Sequence, residues 1–128
     1  MKNAEIKENN ISKNMEYKID ASGKKLGRLA SEIASILLGK NNPNFQKHLI
    51  AEVKVTVANA AKMDIPEKKA ETKVYRHYTG FPGGLREATM NQMIDKKGYS
   101  AILEKAVSGM IHNTRMKKEI LKNLIISE

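Results

Sequence analysis

Apolar and polar residues alternate between Met15 and Asp20, and a period of two predicts a short strand there. Asp20-Ala21-Ser22-Gly23 is turn material. Leu26, Leu29, Ala30, Ile33, Ala34 and Leu37 then recur at the three-and-four spacing of one helical face, which predicts a helix over Leu26–Leu38 with Gly39 just past its end. Asn41-Asn42-Pro43-Asn44 interrupts the chain as a loop. Val53, Val55 and Val57 alternate with Lys54 and Thr56, the pattern of a β-branched strand that stops at Ala58-Asn59-Ala60.

Residues 61–72 show no clear period, and Pro66 with Glu67-Lys68-Lys69 predicts a surface turn. Lys73 to Tyr78 reads as a third strand, ended by Thr79-Gly80-Phe81-Pro82-Gly83-Gly84. From Leu85 a helix is expected, with Leu85, Ala88, Thr89, Gln92 and Met93 on one side and Gly98 as its stop. Ile102, Leu103, Ala106, Val107, Met110 and Ile111 form the stripe of another. Thr114 is placed to cap a short helix whose inner side holds Met116, Ile120 and Leu121, and Leu124-Ile125-Ile126 closes the chain as a strand. Residues 1–14 lack periodicity and are expected to be a flexible extension. With no internal repeat and no interior linker, residues 15–128 read as a single α/β layered domain.

Charge changes the picture. The 128 residues hold 23 Lys and Arg against 14 Asp and Glu, a net charge of +9, and the excess is spread along the whole chain. A body that is basic throughout suits a polyanionic partner, nucleic acid first and an anionic membrane surface second. No apolar run approaches the roughly 20 residues of a membrane-spanning helix. The absence of cysteine removes disulfide scaffolds, thiolate-bound zinc and thiol catalysis, and the polar start is no secretory signal, so the expected address is the cytoplasm.

The densest chemistry lies in Lys73 to Arg86. Tyr75, Tyr78 and Phe81 are interleaved with Lys73, Arg76 and His77, followed by Gly80, Gly83 and Gly84. Aromatic faces stack on unpaired bases, cations neutralise phosphates, and glycine lets a backbone approach a sugar-phosphate chain. For Tyr75 alone, packing in the core is the simpler reading. Ser22-Gly23-Lys24-Lys25-Leu26-Gly27-Arg28 opens the first helix but matches neither a Walker loop nor a dinucleotide fingerprint, leaving a basic helix N-terminus that favours an anion as much as a solvated turn. His48, His77 and His112 share no metal-ligand spacing, and no serine sits in a nucleophile elbow. No metal, cofactor or catalytic group is expected.

Several of these segments resemble a known family. Asp20-Ala-Ser-Gly-Lys-Lys-Leu-Gly-Arg-Leu-Ala30 is similar to the D-A-x-G-x-x-L-G-R-L-A opening of the L-thirteen family of large-subunit ribosomal proteins. Val57-Ala-Asn-Ala60 resembles its V-x-N-A strand end, Lys73 to Leu85 its K-x-Y-x-H-x-T-G-x-x-G-G-[LI] signature, and Ala106-Val-Ser-Gly-Met110 its A-V-x-G-M. The motifs fall in family order across residues 15–126. Departures occur where Ile111 is followed by His112-Asn113-Thr114-Arg115 without the usual Pro, and at Ile50-Ala51-Glu52-Val53 and Pro66-Glu67; the chain resembles a divergent bacterial member, short at its C-terminus.

The resemblance implies a three-layer α/β/α domain around a largely parallel four-stranded sheet. It also implies a structural constituent of the large ribosomal subunit that binds its long rRNA, joins early in assembly, neighbours other large-subunit proteins and has no enzymatic activity or small-molecule substrate. On that reading Lys24, Arg28, Lys40, Arg76, Arg86, Arg115, Lys117 and Lys118 neutralise phosphates. Tyr75, His77, Tyr78, Thr79, Gly80, Gly83 and Gly84 make close contacts with rRNA. The Val53–Val57 alternation disagrees with the implied layers, because an interior parallel strand should be apolar on both faces. The rival is a small nucleotide- or phosphate-binding α/β enzyme, which lacks the phosphate loop and the acid or base it would need. A DNA-binding regulator using the last two helices lacks an evident dimer surface.

Overall fold

The computed structural model describes residues 15–128, so the extension expected at 1–14 lies outside the described residues. Strand β1 (Met15–Asp20) leads into α1 (Leu26–Leu37), and β2 (Val53–Ala58) follows. A 3-10 turn at Ala60–Lys62 and the short helix α2 (Glu67–Thr72) precede β3 (Val74–Tyr78) and β4 (Leu85–Thr89). Helix α3 (Met90–Met110), helix α4 (Lys117–Lys122) and β5 (Leu124–Ile126) complete the chain.

The main sheet has three parallel strands in the order β1-β2-β5, with Tyr17 opposite Val55, Ile19 opposite Val57, and Val55 opposite Leu124. The expected fourth strand is not part of it. Val74–Tyr78 instead pairs antiparallel with Leu85–Thr89 as a separate two-stranded hairpin. Two extended segments joined by so short a loop meet each other first, and a parallel partner would require a long crossover.

The strand order also explains the layers. Both crossovers, β1 to β2 and β2 to β5, step in the same direction across the sheet, and right-handed connections then fall on the same face. Helices α1 and α3 accordingly pack against each other on that face. Ile19, Val55 and Val57 point into the core, whereas Lys18, Lys54, Ala58 and Ile125 are exposed. Among the described residues the opposite face is therefore bare, and no third layer covers it. The polar positions of β2 announced this, against the implied three-layer architecture.

The core is one cluster in which Leu29, Ile33 and Leu37 of α1 meet Val55, Val57, Ile102, Leu103 and Val107. Helix α1 ends as its periodicity predicts. Gly39 adopts a φ of +77°, its N–H donates to the Ile36 carbonyl, and that of Lys40 donates to the Ser35 carbonyl. This paired closure satisfies carbonyls the helix leaves open.

Three other expectations need correction. Residues 67–72 form α2, because Pro66 is compatible with a helix start and Glu-Lys-Lys-Ala favours propagation. Leu85–Thr89 is a strand, and the helix begins only at Met90. There the Thr89 hydroxyl accepts the Gln92 N–H while the Gln92 side chain accepts the Thr89 N–H, a reciprocal cap. Thr114 does not cap α4; that helix starts at Lys117 with Met116 at the capping position and no side-chain cap.

Gly98 does interrupt the helical path as expected, at φ +82°, so α3 consists of two runs. The Glu128 carboxylate lies at the break and accepts the N–H of Ser100 at 3.1 Å, tying the end of the chain to the start of the second run.

Asp20 ties the carboxyl ends of β1 and β2 together. It accepts the backbone N–H of Ser22 at 3.0 Å and the Asn59 amide at 3.1 Å. These bonds hold its pKa down from the ordinary 3.8 to about 2. The folded value lies below the unfolded one, so this stabilisation is complete above pH 3.8 and is lost as pH falls toward about 2. Asp20→Asn is expected to flatten the acid limb of a melting-temperature profile in that window; an unchanged profile would show that the carboxylate bonds contribute nothing.

Candidate nucleic-acid interface

The β3–β4 hairpin brings nine of the sequence-predicted contact residues together: Tyr75, Arg76, His77, Tyr78, Thr79, Gly80, Gly83, Gly84 and Arg86. Its ladder pairs Tyr75 with Ala88, Arg76 with Glu87, His77 with Arg86 and Tyr78 with Leu85. Side chains alternate along a strand, so Tyr75, His77, Arg86 and Ala88 share one face and Val74, Arg76, Tyr78, Leu85 and Glu87 the other.

The tip is built by backbone bonds. Thr79 N–H donates to the Gly84 carbonyl at 3.2 Å, and Gly84 N–H donates to the Phe81 carbonyl at 2.9 Å. A Cβ on Gly84 would stand 2.9 Å from that same Phe81 oxygen and overlap the Thr79 side chain. Gly84→Ala is therefore expected to loosen the tip, read as faster amide exchange at Thr79 and Gly84 with the core amides unaffected. Equal protection in both proteins would show that the tip tolerates the methyl group.

Tyr75 sits at the base, half-buried, with the ammonium of Lys105 4.8 Å and that of Lys73 5.9 Å from its ring centroid. Burial raises its hydroxyl pKa. The first face thus carries Lys73 and Lys105 around Tyr75, then His77 and Arg86, both exposed. Lys105 was missed by sequence reasoning. It lies far along the chain in α3, and no local spacing signals that a helix will place it over a strand residue.

Arg76, on the second face, is bound by Glu87, with Nε 2.8 Å from the carboxylate. Lys24 is similarly engaged, 3.4 Å from Glu32 across the first turns of α1. Arg28 is exposed beside it, in a first turn without acidic residues and without a side-chain cap. Lys25, Arg28, Asp64 and Lys69 rim a shallow cleft there. Lys40 lies past the other end of α1, a helix of 12 residues and hence about 18 Å long, so these cations do not form one patch. Arg115 and Lys118 are exposed around the start of α4, with Lys117 partly buried.

Among the described residues no group of three or more His, Asp or Glu side chains could hold a metal ion, and no helix is long and apolar enough to cross a membrane. What the geometry defines is a basic α/β protein that presents a hairpin with one cationic face. In comparison with known proteins, residues 14–127 match the family model described as Ribosomal protein L13. The chain is 49% identical over 110 residues to large ribosomal subunit protein uL13 of Rubrobacter xylanophilus, covering 86% of this chain and 76% of that protein. Against the uL13 of Syntrophomonas wolfei it is 46% identical over 108 residues, with 84% and 74% covered. With that of Alkaliphilus oremlandii it shares 40% identity over 124 residues, 97% of this chain and 85% of the other. The chain belongs to the ribosomal protein L13 family, a family of structural proteins and not of enzymes.

Proposed function

We propose that this protein is a constituent of the large ribosomal subunit that binds large-subunit rRNA, supports early assembly of the subunit and works in the cytoplasm. The observation that carries the reading is the family match along residues 14–127, whose relatives are named for that subunit. Its partners are the rRNA and neighbouring large-subunit proteins.

In this reading the cationic hairpin face binds the RNA. Lys73, Lys105 and Arg86 neutralise phosphates, His77 adds a hydrogen-bonding ring beside Arg86, and the Thr79–Gly84 tip brings backbone close to a sugar-phosphate chain. Arg28, Lys40, Arg115 and Lys118 add exposed charge at separate places on the body. The charge-paired Lys24 and the partly buried Lys117 contribute less. A largely parallel four-stranded sheet remains open to this protein only if a further strand joins β1 or β5 in the assembled particle.

Sedimentation tests the function directly. Tagged protein from a cell lysate is expected to migrate with large subunits at physiological salt. Migration only as free protein, with untagged large subunits intact in the same gradient, would exclude the assignment.

A further inference from the structure

Beside the foot of the hairpin, a groove of about 310 Å³ is lined by both runs of α3 and by Leu121 of α4. Resting on the reading above, we propose that this groove holds one unpaired nucleotide of the rRNA, its base on the apolar floor and its flanking phosphates on the lysines of the rim.

The groove is built by helical spacing. Met93 and Lys97 of the first run, and Ala101 and Lys105 of the second, each stand one turn apart, on either side of the break at Gly98. Met93, Ala101 and Leu121 are half-buried, and Met93 and Leu121 pack against the core, so the floor is apolar and fixed. Lys97 and Lys105 are exposed at the rim. The volume lies at the low end of small-ligand sites, roughly 300–1,000 Å³, and suits a single base.

Three observations name the occupant. The first is continuity. Lys105, whose ammonium stands 4.8 Å from the Tyr75 ring centroid, belongs to both the cationic hairpin face and the groove. Lys117 and Lys118 precede Leu121 by four and three residues, one turn away on the same side of α4. The groove therefore lies between two groups of cations, as a strand passing from one to the other requires. The second is charge. Neither of the two ion pairs among the described residues involves Lys97 or Lys105, so both ammonium groups are open to phosphate. The third is the floor itself. A duplex keeps its bases stacked inside and offers phosphates and sugars, whereas a splayed base presents a flat face and a polar edge. The Met93 thioether suits an aromatic face. The Ser108 hydroxyl and the Glu104 carboxylate, also in the lining, accept hydrogen bonds from base amino groups or a ribose hydroxyl. Glu104 repels phosphate, which sets a base or ribose, not the phosphate, against it.

Photo-crosslinking in the intact particle separates this proposal from the reading it rests on. A photoreactive phenylalanine analogue is placed at position 108 and, separately, at 86; large subunits are purified, irradiated and treated with nuclease. Both positions are expected to yield rRNA adducts, and reverse transcription locates the nucleotide joined to position 108. An adduct of 108 with protein, or no adduct at 108 while 86 reacts with rRNA, overturns the groove proposal and leaves the RNA reading of the hairpin standing. Absence of rRNA adducts at both positions overturns the two together.

A second arm asks whether that nucleotide is unpaired and its base is in the groove. Ala101→Leu fills the floor without changing charge, and its melting temperature and its co-sedimentation with large subunits are checked; Ser108→Leu replaces it should either fall. Reagents that modify Watson–Crick edges are applied to wild-type and variant subunits and to the protein-free rRNA. The crosslinked nucleotide is expected to react in free rRNA, to be protected in wild-type subunits and to lose that protection in the variant. A nucleotide unreactive in free rRNA, or equally reactive in both subunits, overturns the proposal, as does protection that survives the filled floor.

Discussion

Replacing Ile33 by Ala is expected to lower the unfolding free energy by about 2–5 kcal/mol, the range for truncating a large side chain in a packed interior. Ile33 has no exposed surface and stands in the stripe of α1 that also buries Leu29 and Leu37. Its neighbours belong to several elements, β2 and α3 among them, so the space left by three missing carbons cannot be closed by moving one loop. The exposed Ser31 on the same helix is the control: Ser31→Ala is expected to change stability by less than about 0.5 kcal/mol, as ordinary surface changes do. Urea denaturation of the two variants at one pH and salt measures both. A loss at Ile33 no larger than at Ser31 would mean that the helix buries a different face.

The same helix shows which parts of the fold could be read from the chain. Helix α1 and strand β2 were legible because their apolar periods are local and long enough to be distinguished from each other. Leu85–Thr89 was misread because Leu85, Ala88, Gln92 and Met93 happen to recur at helical spacing across a strand–helix boundary. The boundary itself was written in Thr89-Met90-Asn91-Gln92, a capping sequence whose bonds the structure contains. Helix α2 was missed because Pro66 reads as a breaker wherever its position relative to the helix start is unknown. Sheet composition was not legible at all. Whether Val74–Tyr78 joins β2 or pairs with Leu85–Thr89 depends on contacts between segments, and neither segment's own pattern decides it. The bare sheet face, by contrast, was visible in Lys54 and Thr56, and there the residues were a better guide than the architecture the family resemblance implied. The site divides in the same way. Clustering of Lys73 to Arg86 was apparent, but the separation of its charges onto one face, and the supply of Lys105 by a distant helix, required the ladder register.

That register predicts unequal effects for two arginines that the sequence presents as equivalent. Arg86→Ala is expected to weaken binding to a large-subunit rRNA fragment by about 1.5–3 kcal/mol, the contribution of a hydrogen bond to a charged group. It should also reduce the slope of log K against log salt by about 0.7–0.9, the share that a single neutralised phosphate contributes. Arg86 is exposed, takes part in neither of the two ion pairs found among the described residues, and shares its face with His77 and Tyr75. Arg76→Ala should leave the slope nearly unchanged, because Arg76 lies on the other face with its charge already matched by Glu87. Lys105→Ala belongs with Arg86: it removes the ammonium over the Tyr75 ring at the foot of the cationic face, and the slope should fall again. Because its loss also exposes part of Tyr75, the melting temperature of the free protein is measured beside it, and the slope, which responds to phosphate neutralisation and not to packing, separates the two effects. Affinities measured across a salt series for the three variants decide the matter. Equal slope losses for Arg76 and Arg86 would mean that RNA wraps both faces of the hairpin, and no slope loss for Arg86 and Lys105 would move the RNA contact away from the hairpin to the basic ends of α1 and α4.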